Sequence, residues 1–233
     1  MKREDLNRYF LLLQVNDALF PIGGYAHSYG LETYIQKGLV ASVKDAWQFL
    51  CDRLTYGSCY NGSLTAKLAY GYAQEEDLAR LLELEELLEA SQIPREVRQA
   101  GEKLGSRFVK TVSAMDIPYE TDIFQRYQES LGKKLPLHAI VYGAFCAAAG
   151  IPREDALIHY LFAQTSAMVT NCVKTIPLSQ TDGQRLLYKS QEIFQKVLER
   201  LEGLTQEDLC LSVPGFDIRC MQHEALYSRI YMS

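Results

Sequence analysis

The side chains of this 233-residue chain that could do chemistry are few and scattered, beginning with four histidines at positions 27, 138, 159 and 223. His223-Glu224-Ala225-Leu226-Tyr227 opens like the helix of a zinc hydrolase, in which two histidines one turn apart hold the metal and the glutamate acts as base. Position 227 is tyrosine, so the second ligand is missing and the pattern fails. The other histidines have no His or Cys neighbour at a ligand spacing, and no metal or cofactor site is expected. The six cysteines (51, 59, 146, 172, 210, 220) form no Cys-x-x-Cys pair and read as reduced thiols of a cytoplasmic protein. Gly-x-Ser-x-Gly is absent and no carboxylate pair stands out, so no catalytic residue is expected. An all-α enzyme using His27 and Asp17 as an acid/base pair stays open as an alternative.

The densest unusual chemistry lies in Leu19-Phe20-Pro21-Ile22-Gly23-Gly24-Tyr25-Ala26-His27-Ser28-Tyr29-Gly30-Leu31-Glu32. It is not a phosphate loop: no glycine there is followed by lysine in the required register, and Gly23, Gly24 and Gly30 miss the dinucleotide spacing. Pro21 fixes the direction of entry, while Gly23-Gly24 permits left-handed dihedrals or close approach by another chain. Ser28 is expected to cap the helix that follows.

The elements that must hold this loop read as helices throughout. Tyr9, Phe10, Leu12, Leu13 and Val15 cluster as in a short buried helix leading into it. Ser42 caps a helix with Val43, Trp47, Leu50 and Leu54 at helical spacing, and Trp47 is assigned to the core. Asn61-Gly62-Ser63 reads as a turn. Glu75 to Glu89 reads as an amphipathic helix with a solvated acidic face. Pro94 and Pro118 each open a further helix, and Gly101 and Gly105, four apart, predict close approach by a neighbour. Residues 137–149 are almost uniformly apolar with many small side chains, the centre of a tight bundle, and too few to span a bilayer. Period-2 alternation is not sustained anywhere, so the fold class is all-α: one domain over residues 1–233, a helical bundle of roughly ten helices.

The composition, 48% hydrophobic and 23% charged, suits a soluble globular chain with one sizeable core. A net charge of -5 argues against a nucleic-acid binder, and no segment reads as a membrane span. Fifteen tyrosines suit interfaces. The stretch Arg219 to Ser233 stays apolar and aromatic up to its penultimate position, so it must dock, on a partner or on its own body.

The run Leu13-Gln14-Val15-Asn16-Asp17-Ala18-Leu19-Phe20-Pro21-Ile22-Gly23-Gly24-Tyr25-Ala26-His27-Ser28-Tyr29-Gly30-Leu31-Glu32 resembles the N-terminal signature of UreF-type urease accessory proteins. Gly143 to Gly150, Pro177 to Gln184 and His223 to Ser233 agree in order, so the resemblance covers nearly the whole chain. It implies an all-helical, non-enzymatic protein that forms a homodimer and joins UreD (also called UreH) and the nickel-binding GTPase UreG to load nickel into apo-urease. By motif, partner-binding positions fall on Tyr25 with Pro21, Gly23, Gly24 and His27, and on Arg229 with His223, Glu224, Tyr227, Ser228 and Tyr231. Lys174, Gln180 and Gln184 fall in the region that the family links to the GTPase. A chain that carries nickel itself is the other alternative, against which the histidine-poor composition speaks.

Overall fold

The computed structural model describes residues 3–211 and 213–233, and every regular element among them is helical. The chain begins with α1 (Arg3–Val15), passes through the glycine loop and enters the short α2 (Leu31–Gln36). α3 (Val43–Asp52) runs without a break through a π-helical stretch, Arg53–Ser63, into α4 (Leu64–Gln74). Then come α5 (Leu78–Ser91), α6 (Arg95–Val112), α7 (Ile123–Leu131), α8 (His138–Ala148) and α9 (Arg153–Thr175). α10 (Gln180–Lys189), α11 (Gln191–Gly203) and α12 (Pro214–His223) complete the bundle.

The punctuation follows local chemistry. Ser42 Oγ accepts from Asp45 N at 3.2 Å, and Ser179 with Asp182 makes a reciprocal capping box at α10. Several expectations need correction. Ser28 serves α2 only through a long contact, its Oγ accepting from Glu32 N at 3.5 Å, and the N-cap position itself is held by Gly30 in a left-handed conformation (φ 86°), where a side chain would press on Cys220 of α12. Asn61-Gly62-Ser63 lies inside the π-helical stretch, because Tyr160 OH and Gln164 occupy the space where a Cβ on Gly62 would stand, and tertiary packing overrides turn propensity. Pro118 sits in the connection before α7, which starts only at Ile123. α1 buries only Leu12 and Val15; Tyr9, Phe10 and Leu13 face outward, since just one side of the helix meets the body. Trp47 is half-buried at the rim of the core, with Lys189 Nζ 4.2 Å from its ring centroid.

α8 is the hub. On α6, a Cβ at Gly105 would strike Pro136 O and come within 2.9 Å of His138 N, so the expected close approach is that of the α8 N-terminus. Phe108, Phe124, Phe145 and Tyr142 pack edge-to-face or tilted around it, with centroids 5.2 to 6.2 Å apart for the Phe108–Phe145, Phe124–Phe145 and Phe108–Tyr142 pairs. A second apolar cluster gathers α3, the second half of α9, α10 and α11. Leu68, Leu198 and Leu209 touch both clusters and join them.

The acidic face of α5 is not wholly solvated. Glu85 is buried, accepting from Tyr127 OH at 2.5 Å and from Leu137 N at 2.6 Å, and burial pushes its carboxyl from an ordinary 4.5 up to about 7 against those two donors. The native state therefore holds this proton more tightly than the unfolded chain does. Its contribution to stability is complete below pH 4.5 and is lost as pH rises through 7. His27 and His138, kept neutral by burial with pKa about 4, act with the opposite sign as pH falls below 6.5. Comparing the parent with Glu85→Gln isolates the carboxyl: denaturant melts should show the variant gaining about 2 kcal/mol on the parent between pH 5 and pH 7. A difference that stays flat across that range would remove this account.

Candidate functional site

The glycine loop and the tail meet. Gly23 takes a left-handed conformation (φ 82°) and starts a single 3-10 turn, Gly24–Ala26, that turns Tyr25 outward to 58% exposure. Arg107 Nη1 donates to Ile22 O at 3.2 Å and braces the turn. From the other side the tail pairs with the loop backbone: Met232 N donates to Ala26 O at 2.8 Å, and Ser233 O accepts from both Ser28 N and Tyr29 N. His27 lies beneath this seam, its Nδ1 2.9 Å from Ser233 Oγ, and Asn171 Nδ2 donates to His27 O at 2.9 Å. Burial, and then the nearby Lys103 and Arg107 charges, lower His27 to about 4, so it is neutral at pH 7.

A buried polar chain fixes the rest of the tail. Glu32, on α2, accepts from Ile230 N at 2.8 Å and from Tyr231 N at 3.1 Å. His223, fully buried at the end of α12, lies between two carboxylates: Nε2 is 3.1 Å from Glu32 and Nδ1 2.7 Å from Glu96. Arg229 Nη1 closes the series on Glu96 at 2.7 Å while its side chain stays 40% exposed. Gln36 Nε2 holds Ser228 O at 2.9 Å. The large apolar side chains that the last seven residues leave outward are Tyr227, Ile230 and Met232.

Of the positions named from the sequence, Pro21, Tyr25, Glu224, Tyr227, Ser228 and Arg229 reach the surface around this seam, with Gly24 partly open. Gly23, His27, His223 and Tyr231 are buried, so they shape the surface from within and do not present a side chain to it. Lys174 joins the group, its Nζ 6.0 Å from the Tyr25 ring centroid. Gln180 and Gln184 are exposed on α10, and among the described residues their side chains make no hydrogen bond to loop or tail. The acid/base pairing of His27 with Asp17 is not formed: Asp17 Oδ1 accepts from Leu19 N at 2.7 Å, and His27 faces Ser233. Sequence reasoning missed Glu32 and Glu96 as holders of the tail, and a carboxylate on an amphipathic helix gives no signal of such a partner. Among the described residues, no group of three or more His, Cys, Asp or Glu is arranged to hold a metal ion, and no helix is long and apolar enough to cross a membrane.

The fold and site thus define an all-α protein whose singular feature is a contact surface built from an internal loop and a clasped tail. The UreF family model matches residues 40–191. A urease accessory protein UreF from Bacillus sp. (strain TB-90) is 33% identical over 230 residues, covering 98% of this chain and 100% of its own length. The Lachnoclostridium phytofermentans protein of that name is 30% identical over 98% of this chain and 100% of its own, and one from Haemophilus influenzae (strain PittGG) is 35% identical over 95% and 94%. This chain belongs to the UreF family of urease accessory proteins.

Proposed function

We propose that this chain is a non-enzymatic scaffold of urease maturation: a cytoplasmic homodimer that gathers UreD (UreH) and the GTPase UreG so that nickel enters apo-urease. One domain, residues 1–233, carries the whole surface. The observation that supports this reading is the joining of loop and tail, which puts the exposed Tyr25 and the exposed Tyr227, Ile230 and Met232 on a frame held by buried hydrogen bonds. Aromatic side chains on a rigid frame lose little entropy when a partner covers them. Lys174, Gln180 and Gln184 form the flank assigned to the GTPase.

Among the described residues the Tyr25 side chain makes no hydrogen bond, and Lys174 stands over its ring only at 6.0 Å, so its truncation should leave folding within about 0.5 kcal/mol of the parent. As an interface anchor it should nonetheless cost about 2 kcal/mol of partner binding. Arg229→Ala should weaken binding by a similar amount and also loosen the tail, because Glu96 then keeps only His223 of its two partners. The measurement is a titrated pull-down with co-expressed UreD and UreG, alongside thermal melts. Full complex formation by both variants would defeat the assignment. Unchanged nucleotide hydrolysis with Arg229→Ala in an intact complex would show that this arginine anchors the tail and does not act in the GTPase site.

A further inference from the structure

Behind the glycine loop lies a cavity of about 180 Å³, below the size of a drug pocket but room for one small organic molecule. Leu88, Leu104, Leu137, Ala163, Ala167 and Met168 give it apolar walls, and its lining contains no aspartate or glutamate. One wall is the π-helical stretch, which contributes Arg53, Ser58 and Asn61. π-helical geometry is rare, and it recurs at functional sites. Gly57 within it leaves the space that the Arg53 side chain fills, since a Cβ there would come within 2.8 Å of Arg53 Nη1.

Arg53 is the anomaly. Its guanidinium carbon stands 5.7 Å from the Tyr29 ring centroid and 5.2 Å from that of Phe216. Among the described residues the guanidinium has no hydrogen-bond acceptor or ion-pair partner, and Asp217 feels its charge without coming within ion-pair distance. A guanidinium has five donors in a planar fork that matches a carboxylate, and a half-buried one without an acceptor is an unfilled electrostatic demand. Arg53 also lines a smaller neighbouring cavity of about 40 Å³, together with Gly57, Asn61, Gln92 and Val97, and Asp217 lines only the smaller one. The other polar groups of the large cavity are neutral or engaged. Ser58 Oγ donates to Gln164 Oε1 at 2.7 Å, and His27 and His138 are uncharged at pH 7. Arg53 is then the full charge facing the space, and the apolar walls disfavour a strongly hydrated, multiply charged ion.

We propose that this cavity binds a small monocarboxylic acid, its apolar body among Leu104, Leu137 and Met168 and its carboxylate on the Arg53 guanidinium. The test uses the full chain carrying ¹³C-methyl methionine, titrated with benzoate and hexanoate and, as neutral controls, with benzamide and hexanamide. The Met168 methyl resonance should shift saturably with a dissociation constant on the order of 1 mM or tighter. The amides should bind about tenfold more weakly, and Arg53→Gln should weaken the acids by about the same factor. Ala167→Leu, which fills the cavity and leaves Arg53 in place, should abolish the shift. No saturable shift at Met168, acid and amide binding alike, or a response confined to the exposed Met221 and Met232 would each overturn the proposal. The acid-against-amide comparison needs no variant, so it decides the matter even if Arg53→Gln fails to fold.

Discussion

Glu32→Ala is expected to free the tail and to cost about 3–5 kcal/mol of stability, the range for removing one member of a buried charged network. The size follows from what the carboxylate serves: Ile230 N, Tyr231 N and His223 Nε2 all turn to it, and its side chain is 5% exposed. Alanine takes the acceptor from Tyr231 N in a buried bond and from Ile230 N in a part-buried one, and removes the partner of the buried His223 Nε2. With that anchor gone, the tail keeps the backbone pairing of Met232 and Ser233 with the loop and the outer contacts of Ser228 with Gln36 and of Arg229 with Glu96. Hydrogen exchange should show Ile230 and Tyr231 losing protection ahead of the core amides of α8, and partner binding should fall though no exposed residue has changed. A parent-like melting temperature with full protection at both amides would show that the tail is held by something else.

Gly143→Val should cost about 3 kcal/mol or more, by forcing α4 and α8 apart at the centre of the bundle. Any Cβ there lands on Ala66 O, with Tyr70 N 2.9 Å away, and both are backbone atoms that cannot swing aside. Even Gly143→Ala should destabilise, although replacing a helical glycine by alanine ordinarily gains about 1 kcal/mol. Gly71→Ala on α4 is the matching control, because nothing lies within 4 Å of the Cβ it would add. Denaturant titrations should give the two alanine substitutions opposite signs. Equal and favourable effects would mean that α4 and α8 are less tightly apposed than described.

The candidate site was legible in part. Pro21, Gly23 and Gly24 declared an irregular loop because such residues serve no purpose inside a helix, and the apolar tail declared that it must dock because exposed aromatics are costly. Which buried group receives a tail amide is another matter. Glu32 and His223 meet across 191 residues of sequence, and nothing within a helical turn of either one foretells the other. Glu85 shows the same gap: its acidic neighbours made it look solvated, and only the arrival of Tyr127 and Leu137 from other elements makes it buried.

By itself the sequence determined that this chain is all-helical, where most helices start and stop, and which two stretches depart from that pattern, since 3.6-residue periodicity and glycine or proline punctuation act within a few residues. The tertiary structure alone decided that Asn61-Gly62-Ser63 continues a helix, that half the apolar face of α1 is left open, and that tail and loop close on one another through Glu32, His223 and Glu96. Periodicity tells a helix which face is apolar but not what will cover it, and a buried polar group is stable only beside partners that the whole packing must bring.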